Sequence, residues 1–66
     1  MKLQWTNKVS GEQGYVSAIR YKKGFFENTF DYGAAKSYRN QASLQKDLEF
    51  LTQIGEMEQN EFAAVD

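Results

Sequence analysis

A chain of 66 residues with no cysteine and no histidine has to fold without the two chemical staples on which small domains most often depend. A domain this short buries only about 60% of the surface its unfolded chain exposes. Disulfides are excluded, and a structural zinc site loses its two principal ligand types. Dense aromatic packing or association with another chain is what remains. One Trp, four Tyr and five Phe make up 15% of the residues, and each can bury about 150 to 250 Å². An aromatic core is therefore the first expectation, and self-association into a homodimer the second.

The pattern along the chain is first that of strands. From Lys2 to Val9, Leu3, Trp5 and Val9 alternate with Lys2, Gln4, Thr6 and Lys8, the period of two that marks a half-buried strand. Ser10 to Gly14 is polar and carries two glycines, which predicts a turn. Strand character resumes over Tyr15 to Tyr21, with Tyr15, Ser17, Ile19 and Tyr21 on one side and Val16, Ala18 and Arg20 on the other. Lys22-Lys23-Gly24 reads as a three-residue hairpin loop whose last position favours Gly because it needs a left-handed backbone. Phe25 to Phe30 then returns as a strand. Asp31-Tyr32-Gly33 interrupts it, and residues 34 to 39 read as a further short strand in preference to a helical turn.

One helix follows. Asn40 is suited to cap it, and Leu44, Leu48 and Leu51 recur at i, i+4 and i+7, with Phe50 and Ile54 widening the apolar arc. Gln45, Lys46, Glu49 and Thr52 face away. Gly55 stands where a left-handed C-cap ends a helix. Glu56 to Asn60 is a connection, and residues 61 to 65 read as a final edge strand. The sequence thus predicts a single α+β domain over residues 1 to 66: a small antiparallel β-meander of three to five strands with one α-helix packed on one face. The leucines and Ile54 are expected to bury against a sheet face carrying Trp5, leaving the other face open.

Net charge is −1, but its distribution is uneven. Lys2, Lys8, Arg20, Lys22, Lys23, Lys36 and Arg39 face Glu12, Glu27 and Asp31 in residues 1 to 39, a net of +4, while residues 40 to 66 set Lys46 against six carboxylates, a net of −5. Such halves attract each other or solvate the surface. No segment reaches the roughly 20 apolar residues of a membrane span, and Met1-Lys2-Leu3-Gln4-Trp5 lacks the apolar run of a secretion signal. A cytoplasmic protein that does not engage membranes is expected.

Catalytic chemistry has little to work with. Without His, proton transfer falls to carboxylates, Lys or Tyr. Asp47 and Glu49 are two apart on the predicted helix and point in different directions. None of Ser10, Ser17, Ser37 and Ser43 sits in a glycine-flanked elbow. Gly11, Gly14, Gly24 and Gly33 read as turn residues, because no strand runs into a glycine cluster that opens a helix. The chain is not expected to be an enzyme, and no cofactor or metal is implied.

The stretch Lys23-Gly24-Phe25-Phe26-Glu27-Asn28-Thr29-Phe30 resembles the octapeptide of the RNA-recognition fold at Lys23, Gly24, Phe25 and Phe30. It departs from it at Glu27, a carboxylate where that fold stacks an aromatic on a base. A second resemblance covers more of the chain. Trp5, Gly14-Tyr15-Val16 with Ile19, Ala35-Lys36-Ser37-Tyr38, and Asp47-Leu48-Glu49-Phe50-Leu51 ending at Gly55 are similar to small uncharacterised proteins of phages and prophages in Gram-positive bacteria. That resemblance implies a small binder acting on a larger host or phage component. The surplus of aromatics points the same way, because Tyr and Trp enrich interface centres. The expected function is a non-enzymatic protein-binding module, with Tyr15, Arg20, Tyr21, Lys22 and Lys23 as candidate partner-binding residues. The alternatives are a nucleic-acid-binding accessory protein using the basic hairpin, and a homo-oligomeric structural protein. Nucleic acid ranks below a protein partner because three hairpin cations are few against the carboxylates beyond Asn40.

Overall fold

A computed structural model describes all 66 residues. Four antiparallel strands form one sheet in the order β3-β2-β1-β4, with β1 Lys2–Asn7, β2 Gln13–Arg20, β3 Phe25–Thr29 and β4 Asn60–Val65. One helix, α1 Gln41–Gln53, precedes β4. The first three strands are a meander, and β4 returns to lie beside β1 in an unbroken register from Lys2 opposite Val65 to Asn7 opposite Asn60. The final strand expected at 61 to 65 is thus present, one residue longer.

Local chemistry sets the element ends. Asn40 caps α1, its side chain accepting from the Ser43 amide at 2.9 Å, and Gly55 takes the left-handed conformation just past the helix. The β2–β3 loop is one residue longer than expected, Tyr21 to Gly24, but its last position is the left-handed glycine that the sequence requires, Gly24 at φ 76°. β1 stops at Asn7 because the Asn7 side chain accepts from the Val9 and Ser10 amides, both at 2.9 Å, and turns the chain. Val9, expected on the inward face with Leu3 and Trp5, is instead 97% exposed.

Two further expectations are corrected. The alternation along β2 does not survive, because the pairing with β3 shifts between Val16 opposite Asn28 and Ala18 opposite Glu27. The extra residue is Ser17, whose hydroxyl donates to the Glu27 carbonyl at 3.0 Å. Val16 and Ile19 therefore both turn inward and are buried, and Tyr15 parts company with Ile19. Residues 34 to 39 are not a strand. A 3-10 turn, Tyr32–Ala34, leads into a segment that bonds to two different strands, one in its middle and one just before its start: the Lys36 amide donates to the Val16 carbonyl at 2.9 Å and the Tyr38 amide to the Met1 carbonyl at 2.7 Å. β1 and β2 pair only over Gln4 to Thr6 and Gln13 to Tyr15, so this segment bonds carbonyls that lie beyond that short ladder.

The core lies between α1 and the sheet face that carries Leu3, Trp5, Val16 and Ile19. Leu44 and Leu51 are buried there. Leu48 and Ile54 are only partly buried, and Asp47 takes the deep position between the two buried leucines. Phe26 of β3 and Phe62 of β4 meet edge to face at 5.7 Å, although three strand spacings of about 4.8 Å would separate them in a flat sheet. The sheet curls inward on this face, which leaves a hollow beyond the helix.

Candidate functional site

Of the five residues singled out in the sequence, Arg20, Tyr21, Lys22 and Lys23 line one open depression at the hairpin end, and Tyr15 lies apart from them. Arg20 is paired to Glu27 at 2.6 Å on the exposed surface. Each group sets the other's titration: the hydrogen bond and charge of Glu27 raise the Arg20 pKa, and those of Arg20 lower that of Glu27. Tyr15 projects to the opposite face, packing edge to face on Tyr32 at 5.4 Å, with the Lys2 ammonium 5.3 Å from the Tyr32 ring centre. The 3-10 turn therefore covers part of the face expected to be open. Tyr21 leaves the hairpin to donate its hydroxyl to Asp47 and to pack on Phe50. Lys22 and Lys23 remain free of ion pairs and, with Ile19, Arg20 and Tyr21, line that depression of about 370 Å³.

Asp47 gathers a network that sequence reasoning missed. Its carboxylate is 1% exposed and accepts from the Tyr21 hydroxyl, from the Tyr38 hydroxyl at 2.5 Å and from the Lys36 ammonium at 2.7 Å. Burial alone would push the carboxyl pKa up, but the three hydrogen bonds and the Lys36 charge outweigh it and hold it below its ordinary value. Burial also disfavours the Lys36 charge, yet Asp47 and Tyr21 hold that pKa above its usual value. Burial and Asp47 together raise both tyrosines. Every group is moved further from neutrality, the reverse of what proton transfer at pH 7 requires. The network clamps α1 to the hairpin and to the 35 to 38 segment. The signal available in the sequence was an acid inside the apolar arc, three residues after Leu44 and four before Leu51.

Further along β1 the same face opens. Trp5 lies opposite Gly14, and its ring sits so close that a Cβ on Gly14 would stand 2.6 Å from Trp5 Cζ2. Gly14 is thus a strand residue kept bare for an indole, not the turn residue expected. Trp5 is 7% exposed, and its Nε1–H is the one buried side-chain polar atom without a partner. Phe30, 65% exposed, packs edge to face on it at 6.1 Å. These two rings and Phe26 line a cleft of about 260 Å³ whose polar walls are Asn7, Glu12, Asn28 and Asn60. Asn7 is engaged through its oxygen in the turn, and Asn60 donates its amide to Glu56 at 3.3 Å, leaving its own oxygen free. Glu12 forms no ion pair.

No group of His, Cys, Asp or Glu side chains is placed to hold a metal ion, and no helix is long and apolar enough to cross a membrane. Comparison with known proteins finds no matching family model, no matching curated protein and no matching solved structure.

Proposed function

We propose that the chain is a non-enzymatic protein-binding module, a binder or inhibitor of a larger protein of the kind phages encode. One observation carries the reading: of its one Trp, four Tyr and five Phe, the core buries only Trp5 and Tyr38, while Tyr21, Phe25, Phe30 and Tyr32 are each more than 40% exposed. Exposed aromatics in such number on so small a surface are the groups that interface centres use. Tyr21 and Phe25 flank the unpaired Lys22 and Lys23, so the hairpin end offers apolar contact and steering charge together.

Affinity capture from host lysate with mass spectrometry tests this, run with the parent and with a Phe25→Ser, Lys23→Glu variant of matched melting temperature. A protein enriched by the parent and depleted by the variant is the expected result. Retention of nucleic acid instead, falling steeply with salt as counterion release demands, would replace this reading with a nucleic-acid-binding one.

A homodimer is favoured by a separate observation. β4 is a six-residue edge carrying one charge, Glu61, with no Lys, Pro or bulge to blunt it. Solution mass distinguishes the two: a dimer reduced to a monomer by Ala63→Lys points to edge pairing, and a monomeric parent removes it.

A further inference from the structure

We infer that the hairpin end receives an acidic segment of the partner polypeptide, with an apolar side chain seated in the depression and carboxylates meeting Lys22 and Lys23. The inference rests on the protein-binding reading and gives its partner a chemistry. Of the five residues that line the depression, Ile19, Arg20, Tyr21, Lys22 and Lys23, three are cations and none is an acid. Arg20 is already answered by Glu27, whereas Lys22 and Lys23 have no ion-pair partner. A neutral segment laid beside them would take water from two ammonium groups without replacing it, and a basic one would add repulsion. Carboxylates restore a partner to each. Between the charges, Ile19 and the 45% exposed Tyr21, with the aliphatic stems of the lysines, offer an apolar seat.

The neighbouring surface separates a polypeptide from a nucleic acid. Past Tyr21 lies a second hollow of about 210 Å³, lined also by Lys46, Glu49, Phe50 and Gln53. A nucleic-acid strand carries a phosphate at every nucleotide and would run from the lysines onto Glu49. A polypeptide can confine its carboxylates to the hairpin and turn neutral side chains toward Phe50. Nor is Tyr21 free to stack on a base: its ring packs on Phe50 at 5.2 Å, lies under the Lys46 and Lys36 ammonium groups at 5.4 and 5.7 Å, and its hydroxyl is held by Asp47. The depression is open to solvent, whereas small-molecule sites enclose most of their ligand, so it suits a chain segment lying across it.

A displayed library of random peptides is selected on the intact protein, and the binders are synthesised and titrated at two ionic strengths. Binders are expected to carry Asp or Glu beside a Leu, Met or aromatic residue. They should lose about tenfold in affinity at low salt when their carboxylates become amides, a loss that shrinks as salt screens the charge. Chemical-shift changes in nitrogen-15 spectra are expected at Ile19, Tyr21, Lys22 and Lys23. Lys22→Glu with Lys23→Glu should weaken the binders by a similar factor at unchanged melting temperature, and peptides bearing Lys in place of the acids should bind this variant better than the parent. A merely structural role for the lysines would not produce that exchange of preference. Binders without acids, shift changes confined to other surfaces, or a selection that enriches no peptide overturn the inference, while the protein-binding reading stands or falls with the lysate capture. A single-stranded oligonucleotide that displaces the peptides at physiological salt overturns it in favour of nucleic acid.

Discussion

Under α1, the buried Asp47 carboxylate accepts three hydrogen bonds from side chains of the hairpin and of the 35 to 38 segment; further along the same sheet face, the buried Trp5 Nε1–H has none. The two groups sit in one fold of 66 residues, at similar burial, so depth alone does not separate them. The difference lies in what surrounds them. Asp47 is ringed by donors from elements remote in sequence, and its satisfaction fixes where α1 sits. Trp5 is ringed by an exposed Phe30 and by amides and a carboxylate with bonding capacity to spare. The carboxylate that is satisfied within the chain fixes how α1 and the hairpin sit, whereas the indole nitrogen packs against Gly14 and ties no second element to β1 by a hydrogen bond.

Removing the satisfied group should have the largest effect. Asp47→Ala leaves two hydroxyls and an ammonium facing a void, and breaking a buried charged network commonly costs about 3 to 5 kcal/mol. Domains of this size hold roughly 3 to 10 kcal/mol in all, so the variant is expected to be largely unfolded by far-ultraviolet circular dichroism at 37 °C. A cooperative melt within a few degrees of the parent would show that α1 is held by apolar packing alone. Leu51→Ala should follow, at about 2 to 5 kcal/mol for a fully buried leucine. Leu48→Ala, at a half-buried position, should fall below it, and chemical denaturation of the pair checks the helix register.

At the open end the effects should be smaller. Gly14→Ala places a methyl inside van der Waals contact of the indole, an overpacking that costs about 1 to 3 kcal/mol. The ring is expected to shift toward the cleft, and a red shift in the fluorescence of the chain's single Trp reports it.

How much of this was legible follows the range of the interactions. Asn40, Gly24 and Gly55 act on residues within one turn of themselves, so their chemistry was visible in the sequence and the elements they bound are where it placed them. Residues 34 to 39 were misread because their partners are the Val16 and Met1 carbonyls, which no local pattern names. The Ser17 bulge put Val16 and Ile19, which alternation assigned to opposite sides of β2, on one face for the same reason: it depends on β3. Of the site, Lys22 and Lys23 were named from the sequence as candidate partner contacts, and what the structure shows of them is that both are exposed and free of ion pairs. Asp47, Gly14 and the Trp5 cleft were not foreseen, since each is defined by a contact across the fold.

Titration separates the two ends differently. Asp47 has its pKa depressed in the folded chain, so its contribution is present above the unfolded carboxyl value and is lost as pH falls through the folded one. Lys36, Tyr21 and Tyr38 are raised, so theirs is present below their unfolded values and is lost as pH rises through the folded ones. With no His in the chain, stability should be nearly flat from about pH 5 to pH 9 and fall on both sides. Melting temperature against pH checks this, and Tyr38→Phe should soften both shoulders. The Trp5 end contributes no titrating partner to Nε1, so indole fluorescence should stay constant across the plateau.

The least effect on folding is expected at the hairpin, and for that reason it tests function most cleanly. Lys22 and Lys23 are exposed and free of ion pairs, while Arg20 and Tyr21 beside them are committed to Glu27 and Asp47. Lys22→Glu with Lys23→Glu should therefore change stability by less than about 0.5 kcal/mol. Two charges reversed at a rim alter steering more than contact, so association with a protein partner should slow at low salt while dissociation holds nearly constant. Measured by surface plasmon resonance at two ionic strengths, the difference from the parent should shrink as salt rises and the Debye length falls. A change confined to dissociation would move the lysines from the rim to the buried centre of the interface. Loss of tight nucleic-acid binding at physiological salt would instead make the hairpin a nucleic-acid site.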